Sequence, residues 1–384
     1  MKQDMISYLS KCKIDLKILN EYLYNNPEDS YKEKNSYEHI CNFLKNYDFK
    51  IQKNFLNLNT SFCATKGLGH PKICFLCEYD SVPNEGHLTG HNLLTSTSIA
   101  AALTLGNLVD TIGGSVVLIG CPGEYLGGTK SLMTKQGAFD DIDVVLMAHP
   151  DVITSESGTS SAIIPMQVKF IGNSGLSFLN KGTYTSLDGI LLTFNILNTI
   201  IKGFPEDVDV NAILSKGGFT PLLVPMESEA KFYIRSKEME LARIVENKIR
   251  EIVIYTSKLI RVPYQISLYE PENEELITNR TLNRLFSHNL KENGIINVGE
   301  SRDITSGLSL GIVSKKVPTI HPYFSIVKEN SSIKYGTKEF AKATISDYAF
   351  EESMKVALSL AYTGFDLILN ENLLVDIKSE FYKK

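Results

Sequence analysis

Side chains able to do acid–base or metal chemistry gather in three stretches of the chain. Glu78-Tyr79-Asp80 and His87-Leu88-Thr89-Gly90-His91-Asn92 put carboxylates and imidazoles close together. Glu124 follows inside a glycine-rich segment, Cys121-Pro122-Gly123-Glu124-Tyr125-Leu126-Gly127-Gly128, and His149-Pro150 comes next. Carboxylates beside imidazoles can move protons or hold a divalent cation. Two histidines at a helix start can equally cap it and fill a polar crevice, so the surrounding elements decide. Ile73-Cys74-Phe75-Leu76-Cys77, residues 115–120 and residues 143–148 are apolar runs of strand length, the pattern of parallel strands covered on both faces. Residues 93–108, rich in Ala, Leu and small hydroxyl residues, read as a helix. Open α/β sheets bind ligands at the carboxyl ends of their strands. Asp80 with His91, then Glu124, then His149 all fall there, a recurrence that favours a site over independent structural accidents.

A chain of 384 residues exceeds what one hydrophobic core usually serves, which points to two domains. Hydrophobic residues at 43% and charged residues at 22% fit a soluble globular protein. The net charge of -5 is spread in both signs without a basic stripe, so no nucleic-acid or anionic-membrane partner is expected. Met1-Lys2-Gln3-Asp4-Met5-Ile6-Ser7 has no apolar signal-peptide stretch, and no segment reaches bilayer length, giving the expectation of a cytoplasmic protein. The six cysteines lack a framework pattern and read as reduced thiols. Cys74 and Cys77 form a C-x-x-C without a second pair, and buried strand thiols explain them better than a zinc knuckle.

The remaining elements follow from periodicity. Residues 1–48 predict two helices split at Asn25-Asn26-Pro27, and a strand is expected around 55–62. From residue 163 the order is strand 163–171, helix 187–202, strands 208–214 and 229–235, helix 238–259 and strand 264–269, the βαββαβ order of a ferredoxin-like module. Residues 276–294 read as a helix, 301–310 as a loop, 317–324 as a segment carrying His321-Pro322, and 341–369 as one long closing helix; 378–384 is a mixed-charge tail. The predicted fold class is α/β: a larger domain of residues 1–164 and 272–384, with a mixed, mostly parallel sheet flanked by helices. An inserted ferredoxin-like α+β lid and dimerisation domain takes residues 165–271.

Glu78-Tyr79-Asp80-Ser81-Val82-Pro83 with Gly86-His87-Leu88-Thr89-Gly90-His91-Asn92-Leu93-Leu94 resembles the Glu-Tyr-Asp-Ala-Leu-Pro and Gly-His-Ala-Cys-Gly-His-Asn-Leu-Leu blocks of the aminoacylase and carboxypeptidase type of di-zinc metallopeptidases, the M20 peptidases. The closest branch is that of the amidohydrolases acting on aminobenzoyl-glutamate, indoleacetyl-amino acids and small dipeptides. Cys121 to Lys130 is similar to the family's Thr-Pro-Ala-Glu-Glu-Gly-Gly-Gly-Gly-Lys, and Gly137-Ala138-Phe139-Asp140-Asp141-Ile142-Asp143 with His149-Pro150 to its Gly-Ala-Phe-Asp-Asp-Val-Asp and His-Pro. Gly217-Gly218, Tyr233-Ile234-Arg235, His321-Pro322-Tyr323-Phe324 and Thr337-Lys338-Glu339-Phe340-Ala341 resemble later blocks, so the similarity runs along nearly the whole chain.

The resemblance implies two zinc ions sharing a water that attacks an amide carbonyl, with a glutamate shuttling the proton. Carried over residue by residue, the general base is Glu124 and the residue that orients a ligand is Asp80. Of the five metal ligands, His91 and His149 are kept, whereas Thr89, Tyr125 and Gly336 stand where the family has Cys, Glu and His. A hydroxyl stays neutral, a phenol has a reference pKa of about 10, and glycine offers no side chain, so a binuclear centre is not expected. Leu176 replaces the family's carbonyl-polarising lid His, and Leu222 its substrate-binding Asn. His87, Asn92, Arg302 and His321 complete the expected cleft. His321 is read as a structural or substrate contact, and Arg302-Asp303 as a carboxylate contact or a surface ion pair. His70 and His288 read as solvated.

Three functions stay open on the sequence. One is a pseudo-amidohydrolase that binds a peptide, an amino-acid derivative or a partner protein. Another is an atypical amide hydrolase using one metal on His91 and His149 with Glu124, or with His87 or Asp80. The last uses Cys121 as nucleophile beside Glu124, with His149 as base. No cofactor is expected beyond at most one divalent metal, zinc. The expected assembly is a homodimer through the lid or a heteromer with an active paralogue.

Overall fold

The apolar runs at 73–77, 115–120 and 143–148 do pair in parallel. In the computed structural model, which describes residues 1–383, the strands Gly114–Gly120, Lys72–Cys77, Val144–Leu146 and Thr319–Ile320 lie side by side in that order, all parallel. Phe62–Leu68 and then Lys50–Lys53 extend the other edge antiparallel, giving a mixed six-stranded sheet. Every residue of Gly114–Gly120 is buried, as expected of a strand with helices over both faces.

The helix His91–Gly106 is buried along its whole length. It packs against the sheet and between the helices Lys2–Asn25 and Asp347–Leu369, so it has no polar face; its Ser and Thr hydroxyls turn inward instead, Ser96, Thr97 and Thr104 each donating to a carbonyl four residues back. Close approach demands a glycine at the crossing: a Cβ on Gly364 would meet Leu105 Cδ2 at 2.5 Å. A second small sheet, in the order Gly299–Ile304, Ser155–Ser160, Tyr323–Ser325, His149–Asp151, sets His149 directly beside Tyr323.

The chain folds as two compact units, one of residues 1–159, 276–304 and 312–384, the other of residues 160–275 and 305–311. In the second unit the elements run Ala162–Ile171, helix Ser186–Ile200, Val208–Lys216, Glu227–Ser236, helix Met239–Ile260, Tyr264–Leu268. The four strands form one antiparallel sheet with Glu227–Ser236 and Ala162–Ile171 at its centre. Strict alternation of burial along Glu227–Ser236 turns Ser228, Ala230, Phe232, Ile234 and Ser236 inward, and both helices pack on the sheet to build a separate core. Thr185 and Asp188 close a reciprocal capping box at the first helix.

Three sequence expectations need correction. Residues 55–62 are not a strand: Asn54, Leu56, Asn57 and Thr60 have positive φ, a short 3-10 turn covers Phe55–Asn57, and pairing starts only at Phe62. Residues 301–310 are not all loop, because polar Gly299–Ile304 is an edge strand of the small sheet. The closing helix is broken into Lys338–Ala343 and Asp347–Leu369, with Ser346 capping the second through the Ala349 N–H. The helix Glu371–Tyr382 follows; Lys384, the end of the mixed-charge tail, lies outside the described residues. Among the described residues no helix is long and apolar enough to cross a membrane.

Candidate metal centre

Four parallel strands end on the same edge, and each hands over to a polar group: Cys77 to Glu78 and Asp80, Gly120 to Glu124, Leu146 to His149, and Ile320 to His321. Among the described residues one group of three could hold a metal ion: Glu78, His91 and His149, all buried, offer ligand atoms within 4.8 Å of one another.

Both imidazoles have their Nδ1 engaged, which leaves Nε2 for the site. His91 Nδ1 donates to Asp80 Oδ1 at 2.9 Å, and His149 Nδ1 to the Pro150 carbonyl at 2.9 Å. A carboxylate or carbonyl on the far nitrogen is how ligating histidines are usually fixed. Asp80 is held in turn by the Ser30 hydroxyl at 2.7 Å and the Tyr125 N–H at 3.0 Å, both on Oδ2. Burial works to raise its carboxyl, but the bond to His91 and that imidazole's charge, with Ser30 and Tyr125, hold it below the ordinary range.

The two histidines titrate in opposite directions. Burial would lower His91, but Asp80, Glu78 and Glu124 push it up to about 9. His149, buried and facing the His91 charge, is pushed down to about 3 and is neutral at pH 7. His91 Nε2 stands 3.3 Å from Glu78 Oε2, so a cation there competes with a proton. The other Glu78 oxygen bonds the ammonium of Lys130, which reaches Glu124 Oε2 at 2.7 Å. Lys130 is fully buried; desolvation would strip its proton, but Glu124 and Glu78 hold it charged. Burial first, then the Glu124 charge, raise the Glu78 carboxyl.

The replaced ligand positions do not fit a second metal. Thr89 Oγ1 and Tyr125 Oη are hydrogen-bonded to each other, and the Tyr125 ring stacks on His91 at 4.7 Å. Burial pushes the Tyr125 phenol up, so no anionic oxygen replaces the missing carboxylate. Gly336 is exposed with φ +77 and nothing within 4 Å of a Cβ built on it; its neighbour Tyr335 places a ring 6.2 Å from His149.

The other expected residues divide. His321 lies 5.5 Å from His149, ring to ring, and Arg302 bonds Asp151, not Asp303, with its guanidinium 4.8 Å over Tyr323. His87 and Asn92 face inward: His87 Nε2 lies 3.0 Å from the Leu23 carbonyl, and Asn92 donates to Asn20 and Thr344. Leu176 and Leu222 sit in the other unit, next to each other across the Gly175–Leu176 and Leu223–Val224 ribbon. Cys121 is fully buried against Met133 Sδ and the Ile119 carbonyl, and burial pushes its thiol up to about 12, so it has neither the access nor the thiolate that a nucleophile needs. His288 is exposed as expected, whereas exposed His70 is tied to Asp143 at 2.5 Å and Asp141 at 3.1 Å.

Glu78 and Lys130 were not singled out in the sequence, although both lie inside the quoted motifs; an acid directly after a buried strand was the available signal for Glu78. Also unforeseen is the segment between the first two helices. Ser81 donates to the Glu28 carbonyl through N and Oγ, Ser30 holds Asp80, and buried Glu33 accepts the Gly123 N–H at 2.8 Å. The Tyr31 ring lies over Gly123 so closely that a Cβ there would meet it at 2.3 Å. Residues 28–33 thus clamp two of the strand ends that build the site.

No protein-family model matches the chain. The chain is 27% identical over 383 residues to an Xaa-Arg dipeptidase of Mus musculus, covering 94% of this chain and 88% of that protein. It is a homologue of the M20 peptidases and amidohydrolases. A p-aminobenzoyl-glutamate hydrolase component from Escherichia coli (strain K12) is 30% identical over 254 residues, 60% of this chain and 53% of that one. A dinuclear metal-binding M20 peptidase of Bacillus subtilis shares the fold, with a TM-score of 0.65 at 15% identity over 92% of this chain and 99% of that one. Against that background, one metal-ligand triad is present among the described residues, an arrangement consistent with loss of a di-zinc centre; of its members His91 and His149 stand at ligand positions that the resemblance implies, and Glu78 does not.

Proposed function

We propose that this M20 homologue is a reduced amide hydrolase that works with one divalent cation on small N-acyl amino acids or dipeptides. The supporting observation is the Glu78, His91 and His149 cluster, two imidazoles and a carboxylate within 4.8 Å, with both rings already fixed through Nδ1. Glu78, His91 and His149 would hold the ion, and a cation such as zinc supplies, when bound, an activated water for attack on an amide carbonyl. Asp80 holds the His91 ring so that Nε2 faces the cluster. Glu124, bonded to Lys130 at 2.7 Å, would take the proton released on attack and return it to the leaving amine. The mouse relative's name makes arginine-ending dipeptides the first substrates to try, with p-aminobenzoyl-glutamate second.

The pseudo-amidohydrolase reading has its own support, since Lys130 and His91 already engage both oxygens of Glu78 and could keep a cation out. On either reading the βαββαβ unit is taken as a ferredoxin-like lid through which two copies, or this chain and an active paralogue, pair; the exposed edge strand Val208–Lys216 fits that role. A cytoplasmic location is part of the same proposal. Metal analysis after dialysis against zinc decides between the readings. One equivalent per chain, abolished together with dipeptide hydrolysis in His91→Ala and His149→Ala, is expected. Zero equivalents would leave the binding protein, and two would refute both readings.

A further inference from the structure

Three hydroxyls gather beside the two imidazoles of the cluster. Thr89 Oγ1 is hydrogen-bonded to Tyr125 Oη, and the Tyr125 ring stacks on His91 with centroids 4.7 Å apart. Tyr335 stands against the other imidazole, its ring 6.2 Å from His149 at a 61° angle and packed edge-on to Phe340 at 5.1 Å. The Tyr335 phenol has the Thr89 hydroxyl and the Tyr125 phenol as neighbours. Because the His91 and His149 rings are only 5.9 Å apart, one phenol flanks each ring of a single cluster. Thr89 and Tyr125 are half-buried and Tyr335 is 42% exposed, so a ligand can reach the trio.

The chemistry of this trio is that of donors. A phenol has an ordinary pKa of about 10 and a threonine hydroxyl stays neutral, so at pH 7 each of the three carries one proton. The Thr89 to Tyr125 bond uses one of these protons, and a contact between Tyr335 and Thr89 uses at most a second. At least one O–H is therefore left to donate outward. Attack on an amide throws negative charge onto the carbonyl oxygen, and donors fixed beforehand around that oxygen are a large part of how such reactions are accelerated. Leu176 stands where the resemblance implies a carbonyl-polarising histidine, so that oxygen needs another donor. Tyr125 stands where the resemblance implies a carboxylate, which would repel an oxyanion; a neutral phenol attracts one.

We propose that the Tyr125 and Tyr335 phenols, joined through Thr89, form an oxyanion site that holds the former carbonyl oxygen of the tetrahedral adduct. The water oxygen bonds to the carbonyl carbon, the C=O π pair moves onto the oxygen facing the phenols, and the proton lost by water passes to Glu124. Collapse re-forms C=O, breaks the C–N bond and returns that proton to the amine. The inference deepens the amide-hydrolase reading and rests on it for the reaction, whereas the hydroxyl cluster itself does not depend on a cation. Calorimetry on full-length protein, zinc-free and zinc-loaded, compares alanyl-arginine with its phosphinic analogue, in which a tetrahedral, anionic phosphinate and a methylene replace the planar CO–NH. Zinc-free wild type is expected to prefer the analogue. Tyr125→Phe and Tyr335→Phe keep the rings and should each weaken the analogue about tenfold, the loss of one hydrogen bond, with no change for the dipeptide. Thr89→Ser, which keeps the hydroxyl, should keep the preference. In zinc-loaded protein each phenylalanine variant should lower kcat about 10²-fold with KM little changed. An analogue bound no better than the dipeptide by wild type, or a preference intact in both phenylalanine variants, would overturn the oxyanion site. Zinc stoichiometry and wild-type turnover report on the hydrolase reading: a tyrosine-dependent preference without turnover upholds the anion site and overturns only that reading.

Discussion

Replacing Lys130 with methionine removes the ammonium set between Glu78 and Glu124 while keeping a long, unbranched side chain. In the wild type Lys130 is fully buried, and its two partners have side chains only 3% and 12% exposed. Breaking a buried pair by deleting one partner typically costs about 3–5 kcal/mol, because the remaining charge is stranded in a poor solvent. Here two carboxylates are stranded facing each other, and the His91 imidazolium beside Glu78 offsets only part of that. The loss should depend on pH in a definite direction. Burial and the Glu124 charge already raise Glu78 in the wild type, and removing Lys130 raises it further. A carboxyl whose folded value exceeds its unfolded value near 4.5 gives up stability as pH climbs above that value. Urea unfolding of metal-free Lys130→Met should therefore show about 3–5 kcal/mol lost at pH 8 and a smaller loss at pH 5. Adding Glu124→Gln should recover part of the deficit at pH 8, since it removes one of the stranded charges. A loss below about 1 kcal/mol at pH 8 with no pH trend would refute the view that this ion pair holds the centre together.

Rebuilding the lost ligands offers a second test: Thr89→Cys with Tyr125→Glu and Gly336→His should raise zinc above the wild-type equivalent by plasma mass spectrometry, and an unchanged ratio would show that more than ligand identity was lost. Glu33, buried and bonded to Gly123, is raised by burial from 4.5 to about 7, so its contribution is fully present below 4.5 and is lost as pH rises through 7. Glu33→Gln keeps the acceptor for Gly123 and should flatten the loss of stability between pH 5 and 8, worth on the order of 3 kcal/mol, as read by chemical unfolding at several pH values. Cys121, with its thiol pushed up to about 12, should resist iodoacetamide at pH 7.5 in the folded protein, and Cys121→Ala should leave any hydrolysis unchanged; rapid labelling would reopen the nucleophile reading.

The parts of the fold that were legible in the sequence are those where burial dictates pattern. Residues 115–120 and 143–148 read as strands because parallel strands covered on both faces must be apolar throughout. The helix over 239–260 and the central strand Glu227–Ser236 read equally well, since one face of each meets a core. Failures fall where no such face exists: Gly299–Ile304 is largely exposed and polar, and 55–62 is shaped by positive-φ residues that hydrophobic spacing does not register. In the site, His91, His149, Asp80 and Glu124 were visible as polar groups at strand ends. Lys130 was not, because a lysine opening a short helix just after a glycine-rich turn looks solvated and is almost never fully buried unless paired. Nor could the sequence say that Thr89 and Tyr125 would satisfy each other and not merely leave gaps.

The clamp of residues 28–33 makes the centre hostage to a segment that supplies no ligand. Ser30 fixes the acid that aims His91, and Glu33 with Tyr31 fixes the turn that carries Glu124. Any comparison of variants or relatives that scores only the metal-binding positions would miss half of what keeps the geometry. A protease nick at 26–33 should disarm the protein while every ligand and nearly all of the core stay intact.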